Sequence, residues 1–369
     1  MRVLINMPSQ YAGRPSGVAK VIFSLAEQWA RDSENSYLLL SPWTKDDLPP
    51  ALQNSRLEIV TRPRPRIMIF DVLMQTFRMP STCRKLGVDL VLNADPFGTR
   101  LGGAARVTIV HDLYFESLPE QVGERASLTM RLAYEWVLAG SARIVTVSDA
   151  TRTDLARWRP NFGRKARTIH SDAIASDGVA PPDRLVQAPY VLLVGNATPN
   201  KNFAFAARAL ARLYTDHQDL TIVHVGHDPA DTIAKALEQL DSPTLAVKRM
   251  TNVSEGDLRA LYRDAACLVA PSLAEGFCLP ILEAQDAGCP VVCPNVSAMP
   301  EIAGDAAIIY PVDDGEALAA AVARLLTEPD LHRTIVARGH ENRARFSWAR
   351  AANAYLSVFA EALSLARGR

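Results

Sequence analysis

Two α/β domains, each a parallel sheet covered by helices, are predicted for this chain by three observations. The first is an opening unit of strand, turn-rich loop and amphipathic helix over residues 3–7, 8–17 and 18–30. The second is the same unit met again at 190–194, 195–202 and 203–214. The third is the stretch between them, 171–189, rich in Asp, Ala and Pro and without periodicity, which reads as a hinge. Strand, glycine-containing loop and helix in succession form the Rossmann-like building block, and 369 residues suffice for two such domains. Residues 1–180 and 187–345 are the expected domains, with their sheets facing across a cleft.

In the first half, further strands are expected at 37–40, 57–60, 88–93 and 107–110, then a helix at 125–138 and a strand at 142–148. Ser148 and Asp149 suit the cap of a helix reaching Trp158. The first loop lacks the G-x-G-x-x-G spacing of a dinucleotide site, so no nicotinamide cofactor is expected. Between the strands lie residues 62–78. Arg62, Arg64 and Arg66 alternate there with proline, and Ile, Met, Phe and Leu follow at helical spacing up to Arg78. That pattern fits a basic loop feeding a core helix. It fits equally a helix touching an anionic membrane surface, with Arg84 and Lys85 adding charge. His111 falls at the C-terminal end of a parallel strand, where ligands bind in open α/β sheets, although a lone histidine there is as readily structural.

The second half repeats the pattern. A strand over 220–225 ends on Gly226; a strand at 245–247, a loop at 248–254 and a helix at 255–266 follow. After a buried strand at 267–271 come Glu275, Gly276, Phe277, Cys278, Leu279, Pro280 and, three residues on, Glu283. Pro280 suits a first helical turn, where its missing N–H leaves no bond unmade. Gly276 lets the backbone approach a ligand, and the N–H groups of a helix start favour an anion. Glu283 alone reads as macrodipole complementarity, and Glu275 alone as a solvated loop residue. Together they place two carboxylates on either side of an anion site, which suits a sugar nucleotide with hydroxyls at both ends and a diphosphate between. Lys201 opposes the dipole of its own helix start unless an anion bridges the two. Further strands are expected at 290–293 and 307–310. Asp313 and Asp314 precede a helix as an ordinary cap, and an apolar-striped helix closes the chain over 346–369.

The Glu275–Glu283 spacing, with Gly-Phe-x-Leu-Pro between, resembles the Glu-x7-Glu signature of the retaining glycosyltransferases of family four, which have the GT-B fold. The likeness runs from residue 1 to 348 and is strongest over 190–301. It implies that Glu283 holds the ribose diol and Glu275 the hydroxyls of the transferred sugar. Lys201 and the N–H groups of Gly276, Phe277, Cys278 and Leu279 are then placed on the diphosphate. Gly195, Asn196 and Asn202 line the same loop, and backbone groups of Asn252 and Val253 hold the base. Many relatives carry arginine at the positions of Asn196 or Pro199, so charge compensation here rests more heavily on Lys201. The family's Gly-Gly pair in the first loop has become Ser16-Gly17, which carries over Gly17 and leaves Ser16 without an assigned role. His111-Asp112-Leu113, with Pro119 beyond, resembles the family pattern in which the histidine faces the donor sugar. The closing helix is implied to pack back on the first domain.

The expected activity is transfer of a hexose, with mannose from GDP-mannose preferred among donors. The acceptor is a glycan or lipid-linked glycan of bacterial surface polysaccharide synthesis. The leaving phosphate takes the acceptor's proton on the same face, so no separate base, no cofactor and no metal are required. A nucleotide-sugar epimerase, a phosphorylase or a non-catalytic scaffold of the same fold are the alternatives. Zero net charge gives no bulk attraction to nucleic acid. Five cysteines, with Cys289 and Cys293 spaced C-x3-C near Cys278, are not completed by histidine into a zinc set and read as small buried residues. With no run of about 18 apolar residues and a strand pattern at the start, reducing cytoplasm is expected, with peripheral contact at the inner membrane.

Overall fold

A computed structural model of the protein describes residues 1–8, 10, 15–62, 68–101, 105–174, 184–187, 189–240 and 245–368, with backbone alone for 68–71. Contacts divide the chain into two units, Met1–Ser171 with Ser347–Arg369, and Asp172–Phe346. The division falls earlier than residue 180 because β7 closes the first sheet and Asp172 already pairs with Arg343 of the second unit.

Among the described residues the first unit holds seven parallel strands: β1 (Arg2–Asn6), β2 (Ser36–Ser41), β3 (Glu58–Thr61), β4 (Leu90–Asn93), β5 (Ala105–Val110), β6 (Arg143–Thr146) and β7 (Ala166–Thr168). Their order is β3-β2-β1-β4-β5-β6-β7. Central strands such as β1 and β4 are apolar on both faces because helices cover both sides of the sheet. On one side Leu4, Leu38 and Val91 pack with Met79 and Cys83 of helix Met68–Leu86. Helix Gly17–Trp29 starts where the Ser16 hydroxyl accepts from the Ala19 N–H at 3.3 Å. The last helix, Trp348–Arg367, lies on this unit. Trp29 meets Tyr355 edge-on at 5.6 Å and donates its indole N–H to the Ala352 carbonyl at 3.3 Å. Arg143 joins Glu361 at 2.7 Å.

The second unit holds, among its described residues, six parallel strands: β8 (Tyr190–Val194), β9 (Thr221–Val225), β10 (Ala246–Met250), β11 (Cys267–Val269), β12 (Val291–Pro294) and β13 (Ile308–Tyr310). Their order, β10-β9-β8-β11-β12-β13, makes the winding reverse between β8 and β11. In such sheets the loops leaving the two strands at the reversal diverge and open a crevice. The loops after β8 and β11 are the ones that carry Lys201 and Glu275.

Several elements differ from the sequence reading. β10 reaches Met250, so Lys248 to Met250 belong to a strand and the loop begins at Thr251. β10 is an edge strand, where exposed Lys248 and Arg249 are tolerated and mask the strand pattern. The helix from Phe203 ends at Ala211, three residues short of the expected end. Strand β7 and helices Thr232–Glu238 and Pro329–Arg343 were not foreseen. Asp314 does act as a cap, its carboxylate accepting from the N–H groups of Glu316 and Ala317. All five cysteines are free and buried. Of the basic segment, residues 63–67 lie outside the described residues, as do 175–183 and 188 of the hinge and 9 and 11–14 of the first loop.

Candidate active site

The loop after β8 is shaped by two glycines. Gly195 sits at φ +127° and Gly226, ending β9, at φ +149°. A Cβ on Gly226 would lie 2.1 Å from the Gly195 carbonyl oxygen, so only glycine lets the two loops pass. Beneath them is His224, fully buried, with Nε2 2.8 Å from the same carbonyl. A carbonyl only accepts, so Nε2 carries the hydrogen, and burial lowers the ring's pKa and keeps it neutral. Asn196 accepts from the His227 N–H through Oδ1 at 3.1 Å.

The loop then makes a 3-10 turn, Pro199–Lys201, and hands over at left-handed Asn202 (φ 55°) to helix Phe203–Ala211. The Lys201 stem runs over Gly195, where a Cβ would touch its Cε at 3.4 Å. Its Nζ ends 2.5 Å from Oε1 of Glu275. The carboxylate of Glu275 thus lies directly against the Lys201 ammonium.

Glu275 is held at several points. Oε1 also accepts from the Ser272 hydroxyl at 2.7 Å. Its main chain is clamped by Ser297, whose Oγ accepts from the Glu275 N–H at 3.0 Å and donates to the Glu275 carbonyl at 2.6 Å. Ser297 reaches this position in the left-handed region, at φ 58°. Asn200 stitches the two loops together, taking the Leu273 N–H on its carbonyl at 2.8 Å and donating to the Ala274 carbonyl at 3.3 Å. Both ends of the ion pair are mostly shielded, with side-chain exposures of 20% for Lys201 and 13% for Glu275. A charge-assisted bond in such a setting fixes orientation as well as charge.

Helix Leu279–Asp286 follows, with Pro280 in its first turn and Cys278 as N-cap at φ 68°. Cys278 makes no side-chain cap bond, so the helix start lacks the hydroxyl or carboxylate that commonly occupies it. Burial and the neighbouring Glu275 push the Cys278 thiol well up, and it stays protonated. Phe277 packs edge-on against Phe346 at 6.0 Å. Farther along, Glu283 Oε2 accepts from the Tyr262 hydroxyl at 2.9 Å. Glu283 and Tyr262 border a shallow, open recess that Arg259, Leu258 and Asp286 also line. Asn252 (φ 58°) is exposed and Val253 half-buried in the loop leading to helix Glu255–Asp264.

Lys201, Glu275, Gly195, Asn196 and Asn202 therefore come together around the reversal point, with the start of helix 279–286 beside them. Gly17 and His111 belong to the first unit. Gly17 opens helix 17–29, and a Cβ there would meet nothing within 4 Å. His111 bonds through Nε2 to the Ala94 carbonyl at 2.8 Å, and burial pushes its pKa down to about 4. It is thus neutral at pH 7, with Nε2 protonated and Nδ1 available as an acceptor. Sequence reasoning missed His224, Ser272, Ser297 and Tyr262. None of them stands in a motif, and each acts through a partner at least three residues away.

Residues 15–171 match the family described as Glycosyltransferase Family 4, and residues 188–328 the one described as Glycosyl transferases group 1. The chain belongs to the family 4 glycosyltransferases. It is 29% identical over 256 residues to the O-antigen chain mannosyltransferase B of Escherichia coli, the match covering 66% of each chain. It is 34% identical over 240 residues to a D-inositol 3-phosphate glycosyltransferase of Saccharomonospora viridis, covering 60% of this chain and 52% of that one. To the MMP alpha-(1->4)-mannosyltransferase of Mycolicibacterium hassiacum it is 26% identical, over 60% of this chain and 54% of that one. The matches thus span between about half and two thirds of these relatives' own length. Among solved structures, a sucrose-phosphate synthase of Thermosynechococcus elongatus superposes with a TM-score of 0.75 at 19% identity, covering 98% of this chain and 100% of that one. HepE of Anabaena, in complex with UDP and glucose, gives 0.73 at 15% identity, covering 96% and 98%. These likenesses show the fold, which is GT-B.

Proposed function

We propose that this glycosyltransferase is a retaining mannosyltransferase that uses GDP-mannose to extend a glycan or lipid-linked glycan in bacterial surface polysaccharide synthesis. The observation that carries the reading is the Lys201–Glu275 pair, held rigid beside the start of helix 279–286. The names of the Escherichia coli and Mycolicibacterium relatives support mannose and polysaccharide over other choices.

In this reading the donor diphosphate lies at the helix start, Glu275 accepts from hydroxyls of the mannosyl ring, and Glu283 accepts from the ribose. Gly195 keeps the backbone open at the phosphates, and Asn196, Asn202, Asn252 and Val253 line the nucleotide. The bond between the anomeric carbon and the β-phosphate oxygen breaks, and its electron pair stays on the phosphate. Lys201 and the helix N–H groups stabilise that charge by preorganised electrostatics. The acceptor hydroxyl bonds to the same face of the anomeric carbon, and its proton passes to the leaving phosphate. No step calls for a divalent ion, so EDTA should leave turnover unchanged. Neutral His111 offers an acceptor nitrogen for a sugar hydroxyl.

A lipid-linked acceptor is favoured by the first unit's surface. Among the described residues Phe77 is 71% exposed, Leu132 61% and Leu128 59%. They stand on helices Met68–Leu86 and Glu124–Gly140, which Trp136 Nε1 joins by donating to Thr76 Oγ1 at 3.4 Å. Arg78, Arg84 and Lys85 lie on the first of these helices, an amphipathic combination suited to an anionic bilayer. Among the described residues no helix is long and apolar enough to cross a membrane. Vesicles containing anionic lipid should sediment the protein at low salt and release it at high salt. Failure to sediment removes the membrane from the proposal.

A second reading of the acceptor, an inositol phosphate, is favoured by the name of the 34% identical relative. A thermal-shift panel of GDP, UDP and TDP separates the donors, since a ligand of the native state raises its melting point. GDP is expected to give the largest shift, and a larger shift with UDP overturns GDP-mannose. Proton NMR of the product should show the donor's anomeric configuration retained; an inverted product overturns the mechanism.

A further inference from the structure

Tyr262 is one of the largest fully buried side chains, yet its one polar atom is not spent on backbone. It stands on helix Glu255–Asp264 and aims its hydroxyl across to helix Leu279–Asp286, reaching Glu283 Oε2 at 2.9 Å. Burial and the adjacent carboxylate push the phenol's pKa well above its ordinary value, so the hydroxyl remains a donor at any working pH. The carboxylate it serves is half-buried at the edge of the recess, with Asp286 one turn along the same helix. Asp286 is itself tied to Arg259 at 2.8 Å, from the helix that carries Tyr262. A glutamate side chain has three rotatable bonds, and a like charge nearby biases it outward. A buried donor bonded to one oxygen fixes its rotamer.

We propose that Tyr262 is the positioning residue for nucleotide recognition, orienting the Glu283 carboxylate so that it accepts from the ribose hydroxyls. The proposal rests on the reading of Glu283 as the ribose ligand given above. The contribution is preorganisation: in the free protein the carboxylate already stands in the geometry that binding requires. Without the hydroxyl, the Glu283 carboxylate loses one of its anchors, and affinity falls for ligands that offer a ribose diol.

The test is calorimetric binding of GDP and of 2′,3′-dideoxy-GDP to the full chain and its Tyr262→Phe, Tyr262→Leu and Glu283→Ala variants. Tyr262→Phe keeps the ring and its packing, and is expected to bind GDP about 5- to 10-fold more weakly, the scale of one typical net hydrogen bond. Its affinity for the dideoxy nucleotide should match that of the unaltered protein, because that ligand makes no use of Glu283. Tyr262→Leu should repeat the selective loss wherever its melting temperature shows a folded protein. If Tyr262→Phe weakens both nucleotides equally, or neither, while Glu283→Ala weakens GDP alone, the positioning role is overturned and the ribose assignment stands. If Glu283→Ala does not distinguish the two nucleotides, the ribose assignment itself falls and takes the proposal with it.

Discussion

Ser297 sits in a left-handed conformation that side chains other than glycine, asparagine and aspartate rarely adopt, and its hydroxyl there serves both backbone polar groups of Glu275. Ser297→Ala keeps the strain and loses both bonds, and is expected to lower stability by about 1–2 kcal/mol in urea unfolding. Ser297→Gly loses the same bonds but relieves about 1 kcal/mol of strain, so it should be the more stable of the two. Turnover should fall in both. His111 gives a signed expectation for pH. Its pKa in the fold is about 4, below the ordinary 6.5, so the unfolded chain takes up a proton that the native state refuses. His224 is shifted the same way by burial. Stability should therefore be held above pH 6.5 and fall as pH drops from 6.5 toward 4, which unfolding midpoints across that range measure. At this scale the sequence singles out Lys201, Glu275 and Glu283 by charge and spacing, and the fold joins the first two. It was not legible at Ser297 or Tyr262, because a hydroxyl's role depends on a partner that only the fold brings within reach.

At the scale of elements, the site is a property of two loops leaving adjacent strands where the winding reverses. Gly226 decides whether they pass each other. Gly226→Ala would press a methyl 2.1 Å from the Gly195 carbonyl and should cost about 2–3 kcal/mol by overpacking, with donor binding lost alongside. Gly17 makes the contrast, since a Cβ there meets nothing. Gly17→Ala should leave the melting temperature unchanged or slightly raised, as expected for alanine in a helix. A fall in donor affinity in that variant would single out a role toward ligand. Central strands were read correctly because helices cover both faces and make them continuously apolar. Edge strand β10 was cut short in the reading because solvent admits Lys248 and Arg249 to it. Helix Pro329–Arg343 escaped notice for a related reason, since only Ile335, Gly339 and Asn342 along it are buried.

For the whole molecule, two units and a helix that returns to the first were readable from the repeated opening pattern and the striped C-terminal segment. Phe359 is fully buried among Trp29 and Tyr355, so Phe359→Ala should destabilise by about 3–5 kcal/mol. Hydrogen exchange should show that loss in residues 1–171 and leave the second unit unchanged. What pattern alone could not supply is the contact between the two loops: Lys201 joined to Glu275, with Ser272 on the glutamate's carboxylate and Ser297 on its main chain. The account rests on that pair acting on the sugar being transferred. It is tested most directly by measuring mannosyl transfer from GDP-mannose by Glu275→Gln beside its affinity for GDP. The expected result is turnover lower by about 10²–10³-fold, the scale of losing one preorganised contact in a transition state, with GDP affinity close to that of the unaltered protein. Turnover within a few-fold of the unaltered protein would contradict it.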